Sequence, residues 1–185
     1  MDACSRKRGF TLVEVLVVVA IMGILSGIGV ASLHNAVANS RIKDAGINVT
    51  AFMQRAANEA ARLNERLAVK VEDSHKTLKL YKCNAVDANG ICNNFGTQVD
   101  EMALESANAI VTDKSCPDLD GSQATPATII TLVPKIGVSP IPTSCLMIRY
   151  GGSDRYAASI KAPTKFAMYY KLSYDAGKTG SWFEP

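Results

Sequence analysis

The feature that most restricts this chain is a run of nineteen uncharged, mostly apolar residues, Val15–Leu33, close to its N-terminus. As a helix with a rise of about 1.5 Å per residue, the run is roughly 28 Å long, enough to span the hydrocarbon core of a membrane. Arg6, Lys7 and Arg8 precede it, and positive charge marks the cytoplasmic side of such a segment. The sequence therefore predicts a single-pass membrane protein whose C-terminal part lies outside the cytoplasm.

An acidic residue, Glu14, stands immediately before the apolar run. A carboxylate in such a segment is energetically costly, and ionisable residues there are functional by default. The motif Gly9-Phe10-Thr11-Leu12-Val13-Glu14 resembles the prepilin signal of type IV pilins and of the related type II secretion pseudopilins. The resemblance is carried by the order of basic leader, glycine, phenylalanine, Thr-Leu and a glutamate four residues after the phenylalanine.

This resemblance implies how the N-terminus is processed and used. A membrane peptidase would cut after Gly9, Phe10 would become the N-methylated N-terminal residue, and Glu14 would pair with the N-terminal amine of a neighbouring subunit. Residues four apart share a helix face, so the amine of Phe10 could also meet Glu14 of its own chain. An amine and a carboxylate in low dielectric favour pairing over isolation, and the sequence leaves both arrangements open.

Two other interpretations of the N-terminal segment remain. Ala36-Val37-Ala38 offers the cleavage site of an ordinary secretory signal, although the uncharged run exceeds the usual apolar core of roughly 7–15 residues and Glu14 is misplaced for such a signal. A plain single-pass anchor is the other interpretation. The anchor is compatible with the pilin interpretation, because a pilin waits in the membrane before it assembles.

Beyond the apolar run, the pattern is that of an amphipathic helix. No proline occurs between Ala36 and Leu67, and apolar residues recur at steps of three and four. This apolar stripe consists of Ile42, Ala45, Val49, Phe52, Ala56, Ala60, Leu63 and Leu67. We predict one helix from about Thr11 to Asn64, whose second half packs its stripe against a globular domain.

After Arg66 the hydrophobic period changes to two, which is typical of strands. Residues 67–72 and 77–82 form a predicted hairpin, and later strand candidates are 109–112, 128–133, 146–150, 156–161, 166–174 and 181–183. The predicted fold class is α+β, with a long N-terminal helix packed on an antiparallel β-sheet in a β-sandwich-like head. The predicted organisation is a leader at 1–9, a transmembrane or filament-core segment at 10–33, an amphipathic continuation at 34–66 and a periplasmic head at 67–185.

The end of the predicted helix resembles one branch of this family in particular. Residues Arg55–Asn64, followed by a valine-rich strand, resemble the GspH/FimT branch of minor pseudopilins and minor pilins, and Leu172–Thr179 looks like their closing hairpin. This implies a structural subunit, not an enzyme, that enters a type II secretion pseudopilus or a type IV pilus near its tip. The implied partners are other pilin or pseudopilin subunits, the prepilin peptidase and the inner-membrane assembly platform. No cofactor or metal is implied, and the protein would pass from the inner membrane into an extracytoplasmic filament.

Four cysteines lie beyond the leader, and the inferred compartment permits disulfides. Cys83 and Cys92 flank the turn-rich segment Asp87–Gly90 and are the natural local pair, which leaves Cys116 for Cys145. Four buried free thiols are the alternative. No C-x-x-C occurs, so neither a zinc site nor thioredoxin-like redox chemistry is indicated.

No catalytic constellation is indicated, because the two histidines, His34 and His75, lie far apart in the sequence. The alternatives to a purely structural pilin are a DNA-binding minor pilin and a membrane-anchored periplasmic domain of other function. The residues that could form a basic and aromatic surface for DNA are Arg149, Arg155, Lys161, Lys165, Lys171, Lys178, Tyr169, Tyr170 and Trp182. Beyond the leader there are 17 basic and 16 acidic side chains, so nucleic acid is not the favoured partner.

Overall fold

The computed structural model describes part of the chain, and every structural statement below refers to that part. The described residues are 10–74, 76–105, 108–111, 116–117, 123–134, 137–139, 144–151, 157–161, 169–173 and 182–183. They comprise one long helix followed by strands, which confirms the predicted α+β class. The basic leader residues, Gly9 and His75 lie outside the described residues.

The helix, α1, occupies Leu12–Leu63, within a residue of its predicted bounds at either end. It ends in a Schellman motif, in which Asn64 adopts a left-handed conformation with a φ of 52°. The N–H of Asn64 donates to the carbonyl of Ala61 at 3.3 Å, and the N–H of Glu65 donates to the carbonyl of Ala60 at 3.3 Å. The chain therefore leaves α1 with its last carbonyls satisfied and turns directly into the first strand.

The predicted apolar stripe is the buried face of the second half of α1. Its predicted members within α1 are less than a tenth exposed, except Leu63, which is half-buried where the helix ends; Leu67, the last predicted member, is buried but lies beyond the helix, in the first strand. Met53 and Ala38 are also buried. Met53 widens the stripe beside Phe52, and Ala38 lengthens it by one helical turn toward the N-terminus. Arg55 and Arg62 face outward, as an amphipathic surface helix requires, whereas Thr50 off the stripe is buried and its hydroxyl donates to the carbonyl of Gly46 at 2.8 Å.

The strands following α1 form two sheets. The strands are β1 Leu67–Glu72, β2 Thr77–Val86, β3 Cys92–Ala103, β4 Asn108–Val111, β5 Cys116–Pro117, β6 Gln123–Pro126, β7 Ile129–Val133, β8 Gly137–Ser139, β9 Ser144–Tyr150, β10 Ala157–Lys161, β11 Tyr169–Ser173 and β12 Trp182–Phe183. Sheet 1 has the order β3-β2-β1-β7-β8, and sheet 2 has the order β12-β11-β10-β9-β6-β5, with β4 paired to β9 beside β6. All described pairings are antiparallel except β6 with β9, which departs from the expected antiparallel arrangement.

The longest strand, β3, is absent from the sequence prediction. Its sequence from Cys92 to Ala103 is rich in Asn, Gln and acidic residues, and most of its side chains are exposed. As an edge strand it packs little apolar surface, so its alternation of apolar and polar residues is weak. Pairing with the well-patterned β2 forms the strand, from Thr77 opposite Ala103 to Val86 opposite Cys92, with register irregularities in the second half of β2.

The head has one main hydrophobic core. It joins the stripe of α1 to inward residues of both sheets, among them Leu67, Leu80 and Leu132 of sheet 1 and Ile148 and Ile160 of sheet 2. On the face of sheet 1 turned away from this core (the outer face), Ala68 and Thr131 are nevertheless fully buried. The backbone N–H of Cys92 donates to Thr131 Oγ1 at 2.8 Å, so the end of the β2–β3 hairpin lies over this part of the outer face.

By its internal contacts the chain divides into two units, Met1–Val37 and Ala38–Pro185, and α1 contributes residues to each. The first unit, as far as it is described, is helical. The second unit contains both sheets and the core.

Candidate functional site

The candidate site is the start of α1, where Thr11 is the N-cap residue. Its hydroxyl Oγ1 accepts a hydrogen bond from the backbone N–H of Glu14 at 3.2 Å, and its carbonyl accepts bonds from Glu14 and Val15. Such a cap satisfies backbone donors that the first helical turn would otherwise leave unpaired. The helix therefore begins at Leu12, two residues after the predicted processing position.

Glu14 occupies the third helical position, and its side chain is exposed. Thr11 and Glu14 have the spacing of a capping box, of which the threonine half is formed. Within the described residues no salt bridge involves Glu14, and a carboxylate in the first turn also interacts favourably with the helix dipole. Phe10 is 81% exposed and lies one helical turn before Glu14. The geometry is thus compatible with a carboxylate that takes its partner from elsewhere.

The apolar run after Glu14 is helical, and its large apolar side chains are exposed in the part of the chain that the structure describes. Every large apolar side chain from Leu12 to Leu33 is between 45% and 80% exposed. By length and composition alone, α1 is long and apolar enough to cross a membrane, and its most apolar window has a mean hydropathy of 2.5. The hydroxyl of Ser26 donates to the carbonyl of Met22 at 2.7 Å, so this polar group is satisfied within the helix.

Two glycines on this segment leave the helix surface open. A Cβ atom added at Gly23 or Gly27 would meet nothing within 4 Å. These positions are four residues apart and lie on the same side of the helix. The absence of side chains lets another helix backbone approach closely there.

The disulfide predicted between Cys83 and Cys92 is present, with Cα atoms 5.8 Å apart. The Asp87 carboxylate inside the loop accepts bonds from the N–H groups of Asn89 and Ile91 at 2.9 and 2.8 Å, which is turn chemistry. Cys145 is also disulfide-bonded. Its pairing with Cys116 stays a prediction.

A charged cluster on sheet 1 was not anticipated from the sequence. The Glu72 carboxylate contacts Lys70 Nζ at 2.7 Å and Lys79 Nζ at 3.2 Å, and it accepts a hydrogen bond from the Tyr81 hydroxyl at 3.1 Å. These partners, Lys70 first, lower the pKa of Glu72 from its ordinary 4.5 to about 2. Phe95 completes the cluster, with Lys70 Nζ 5.1 Å from its ring centre and the Tyr81 ring at 5.6 Å. The cluster covers part of the outer face, and two ammonium groups neutralise its carboxylate.

The residues suggested for DNA binding are placed only in part. Arg149 lies opposite Ala157, Lys161 opposite Tyr169 and Lys171 opposite Ser159 in the register of sheet 2. Arg149 is half-buried, so it is not a fully exposed surface cation. Arg155, Lys165 and Lys178 lie outside the described residues. Where the structure is described, no group of three or more His, Cys, Asp or Glu could hold a metal ion, and His34 is simply exposed.

The comparison with protein families found one match. The family model of the prokaryotic N-terminal methylation motif matches residues 4–30. This match covers the basic residues of the leader, Phe10, Glu14 and most of the apolar run, and it supports a type IV pilin-like family for the chain. Neither the search of curated proteins nor that of solved structures found a match. The motif and the exposed apolar helix together indicate a membrane-anchored, pilin-like protein that assembles with other pilins and is processed by a prepilin peptidase in the general manner of that family.

Sequence reasoning gave Thr11 no role beyond the motif. The Thr-x-x-Glu spacing before an apolar run was the signal that could have identified it as a helix cap. Ion pairs from α1 to the segment around the end of β3, such as Arg41 with Glu105, had no such signal, because β3 itself was not predicted.

Proposed function

We propose that this protein is a minor pilin or pseudopilin, a structural subunit and not an enzyme, of a type IV pilus or a type II secretion pseudopilus. It is inserted in the inner membrane with its head in the periplasm, cut after Gly9 and N-methylated at Phe10. It then enters a filament through α1. Its place is near the filament tip, as the likeness of residues Arg55–Asn64 to minor subunits suggests.

One observation carries this proposal: the methylation motif at residues 4–30 coincides with a capped helix start and an exposed, uncharged helical surface. An exposed apolar surface of this size requires either lipid or other helices as its surroundings. In a filament subunit this surface has both surroundings in succession: lipid while the protein is anchored in the membrane, and the helices of other subunits after assembly. Glu14 supplies the single charge at the start of this surface, and an N-terminal amine is the partner that cleavage after Gly9 would create.

The test is the intact mass and N-terminal fragmentation of the protein extracted from membranes of its own cells. A chain that starts at N-methyl-Phe10 is the expected result. The matched control is Gly9→Val, which keeps the apolar segment and changes only the residue before the cut. This variant should be recovered in the membrane with Met1 at its start.

Two results would refute the proposal. A wild-type chain that starts at Met1 would leave only a membrane anchor, and one that starts at Asn39 would show an ordinary secreted domain. The sheared extracellular filament fraction separates the two systems. A processed chain found there indicates a pilus, and one retained in the envelope indicates a pseudopilus.

A further inference from the structure

A groove of about 410 Å³ lies between α1 and the end of β3. The α1 side is formed largely by small or flat side chains, with Ala45 and Ala51 beside Phe52. The other side is the segment Met102–Glu105. Asn48 and Arg55 add the polar groups of the helix side. The groove belongs entirely to the unit Ala38–Pro185.

The charges at this groove are neutralised within the chain. Arg41 Nη1 lies 2.7 Å from Glu105, and Arg55 Nη2 lies 2.6 Å from Asp100. The Arg55 guanidinium also lies over the Phe52 ring, 5.5 Å from its centre. Because each arginine already has a carboxylate, an additional charged partner would find no unpaired counter-ion here. The groove suits an uncharged partner surface better than a charged one.

An exposed apolar side chain lies next to this groove. Ile47 is 43% exposed and stands one turn before Ala51 on the same helix face. Among the residues from Ala38 onward whose side-chain burial the structure describes, Ile47 and Val99 are the large apolar side chains that remain exposed. The apolar exposure of α1 therefore does not end with the run Val15–Leu33.

We propose that this groove and Ile47 receive the uncharged first half of the N-terminal helix of a neighbouring filament subunit. This inference rests on the proposed function, because only a filament brings such a helix alongside the head. In this chain that half contains no charge between Val15 and Leu33, and Gly23 and Gly27 allow a close approach of its backbone. The groove therefore offers paired charges, an exposed Ile47 and small lining residues. These features match a helix that is uncharged and contains glycines.

Photo-cross-linking in cells that assemble the full chain tests this inference. The photoreactive residue p-benzoylphenylalanine replaces Ala51 at the groove, and the cross-linked peptide is identified by mass spectrometry. The matched control carries the same residue at Ala61, an exposed alanine of α1 that does not line the groove. We expect an adduct from position 51, and not from position 61, to the uncharged helix of a subunit that carries the methylation signal, whether a second copy or another pilin.

The N-terminus of the same sample separates the two proposals. A chain processed to Phe10 and recovered in filaments, but without this adduct or with equal adducts from positions 51 and 61, overturns the groove inference and leaves the proposed function intact. An adduct to a protein without the signal also overturns it. A chain that still begins at Met1 overturns the proposed function, and the groove inference with it.

A charge substitution gives a second readout. Ala51→Glu gives the groove a net negative charge, because Arg55 one turn away is already paired with Asp100 and an uncharged helix offers no further counter-ion, and we expect roughly tenfold less protein in filaments at equal processing. Ala61→Glu should reach filaments at the wild-type level. Resistance of the full-length protein to limited proteolysis checks that both variants are folded. A folded Ala51→Glu variant that assembles normally contradicts the inference.

Discussion

Replacing Glu72 by glutamine tests whether the charged cluster on sheet 1 stabilises the head. Glu72 is the carboxylate shared by Lys70, Lys79 and the Tyr81 hydroxyl. Its side chain is 22% exposed. The register places Lys70 directly opposite Lys79, so without Glu72 these two like charges would face each other across β1 and β2, with Asp73 at 3.2 Å from Lys79 Nζ as the remaining counter-charge. Glutamine keeps the size of the side chain and removes its charge.

The size of the effect follows from the lowered pKa. If the whole change in the pKa of Glu72, from 4.5 to about 2, contributed to folding, it would stabilise the head by roughly 3 kcal/mol at neutral pH. Lys70 is more than a third exposed, so water screens the strongest of the contacts. We therefore expect Glu72→Gln to lower the free energy of unfolding by about 1–2 kcal/mol at pH 7.

The pH dependence has a definite sign. Glu72 has a lower pKa in the folded than in the unfolded chain, so its contribution is fully present above the unfolded value of 4.5 and is lost as the pH falls toward about 2. The stability difference between wild type and Glu72→Gln should thus be constant near neutral pH and shrink below pH 4.5. Over the same range, protonation of other carboxylates affects both proteins equally.

Urea unfolding of the detergent-solubilised full chain, followed by the fluorescence of the single tryptophan, measures this difference at several pH values. Asp44→Asn is the matched control, because Asp44 is exposed on α1, away from sheet 1, and takes part in none of the described ion pairs. It should change stability by less than about 0.5 kcal/mol. Equal effects of the two substitutions at pH 7, or a difference that persists unchanged below pH 3, would refute the reasoning.

Three further stability predictions use the same urea measurement. Replacing Cys83 and Cys92 by serine opens a loop with a sequence separation of nine and should lower the free energy of unfolding by about 2–3 kcal/mol. A reductant should lower the stability of the wild type more than that of this variant. Ile42→Ala removes a fully buried side chain and should cost about 2–5 kcal/mol, whereas Ile47→Ala, at an exposed position of the same helix, should cost less than about 1 kcal/mol; similar losses would contradict the burial pattern. At Asn64, with φ at 52°, alanine should destabilise by about 1 kcal/mol and glycine should not, and the opposite order would contradict the left-handed cap.

Hydrophobic periodicity made α1 and the first hairpin predictable. The stripe of α1 recurs at helical spacing, and β1 and the first part of β2 alternate at a period of two, because each packs one face on the core. The later strands β7, β9 and β10 were predicted to within two residues at either end, since they contribute buried residues such as Ile130, Ile148 and Ile160. In each case the sequence pattern records which face is buried.

Strands that depend on their neighbours more than on their own burial were not predictable. β3 has mostly exposed side chains and exists through its pairing with β2, and the short strands β5, β6 and β8 contain only two to four residues each. Hydrogen bonding between strands is a property of the partner as much as of the sequence itself. The charged cluster depends on the register that brings Lys70, Glu72, Lys79 and Tyr81 together, and the groove at Met102–Glu105 depends on β3.

The role of the Glu14 carboxylate is best tested with glutamine at this position, because Glu14 has two functions at the start of α1. Glu14 is both the only charge beside the apolar run and the third residue of a helix capped by Thr11, so Glu14→Ala would remove a charge and weaken the helix start together. Glutamine at this position keeps the capping-box residue type and removes only the charge. If Glu14 pairs with the amine of a neighbouring Phe10, Glu14→Gln should be processed normally yet be lost from filaments. Thr11→Val, which removes the cap and keeps the carboxylate, should retain more assembly than Glu14→Gln. Filament yield at equal processing measures both, and normal assembly of Glu14→Gln would show that the carboxylate acts only through the helix start.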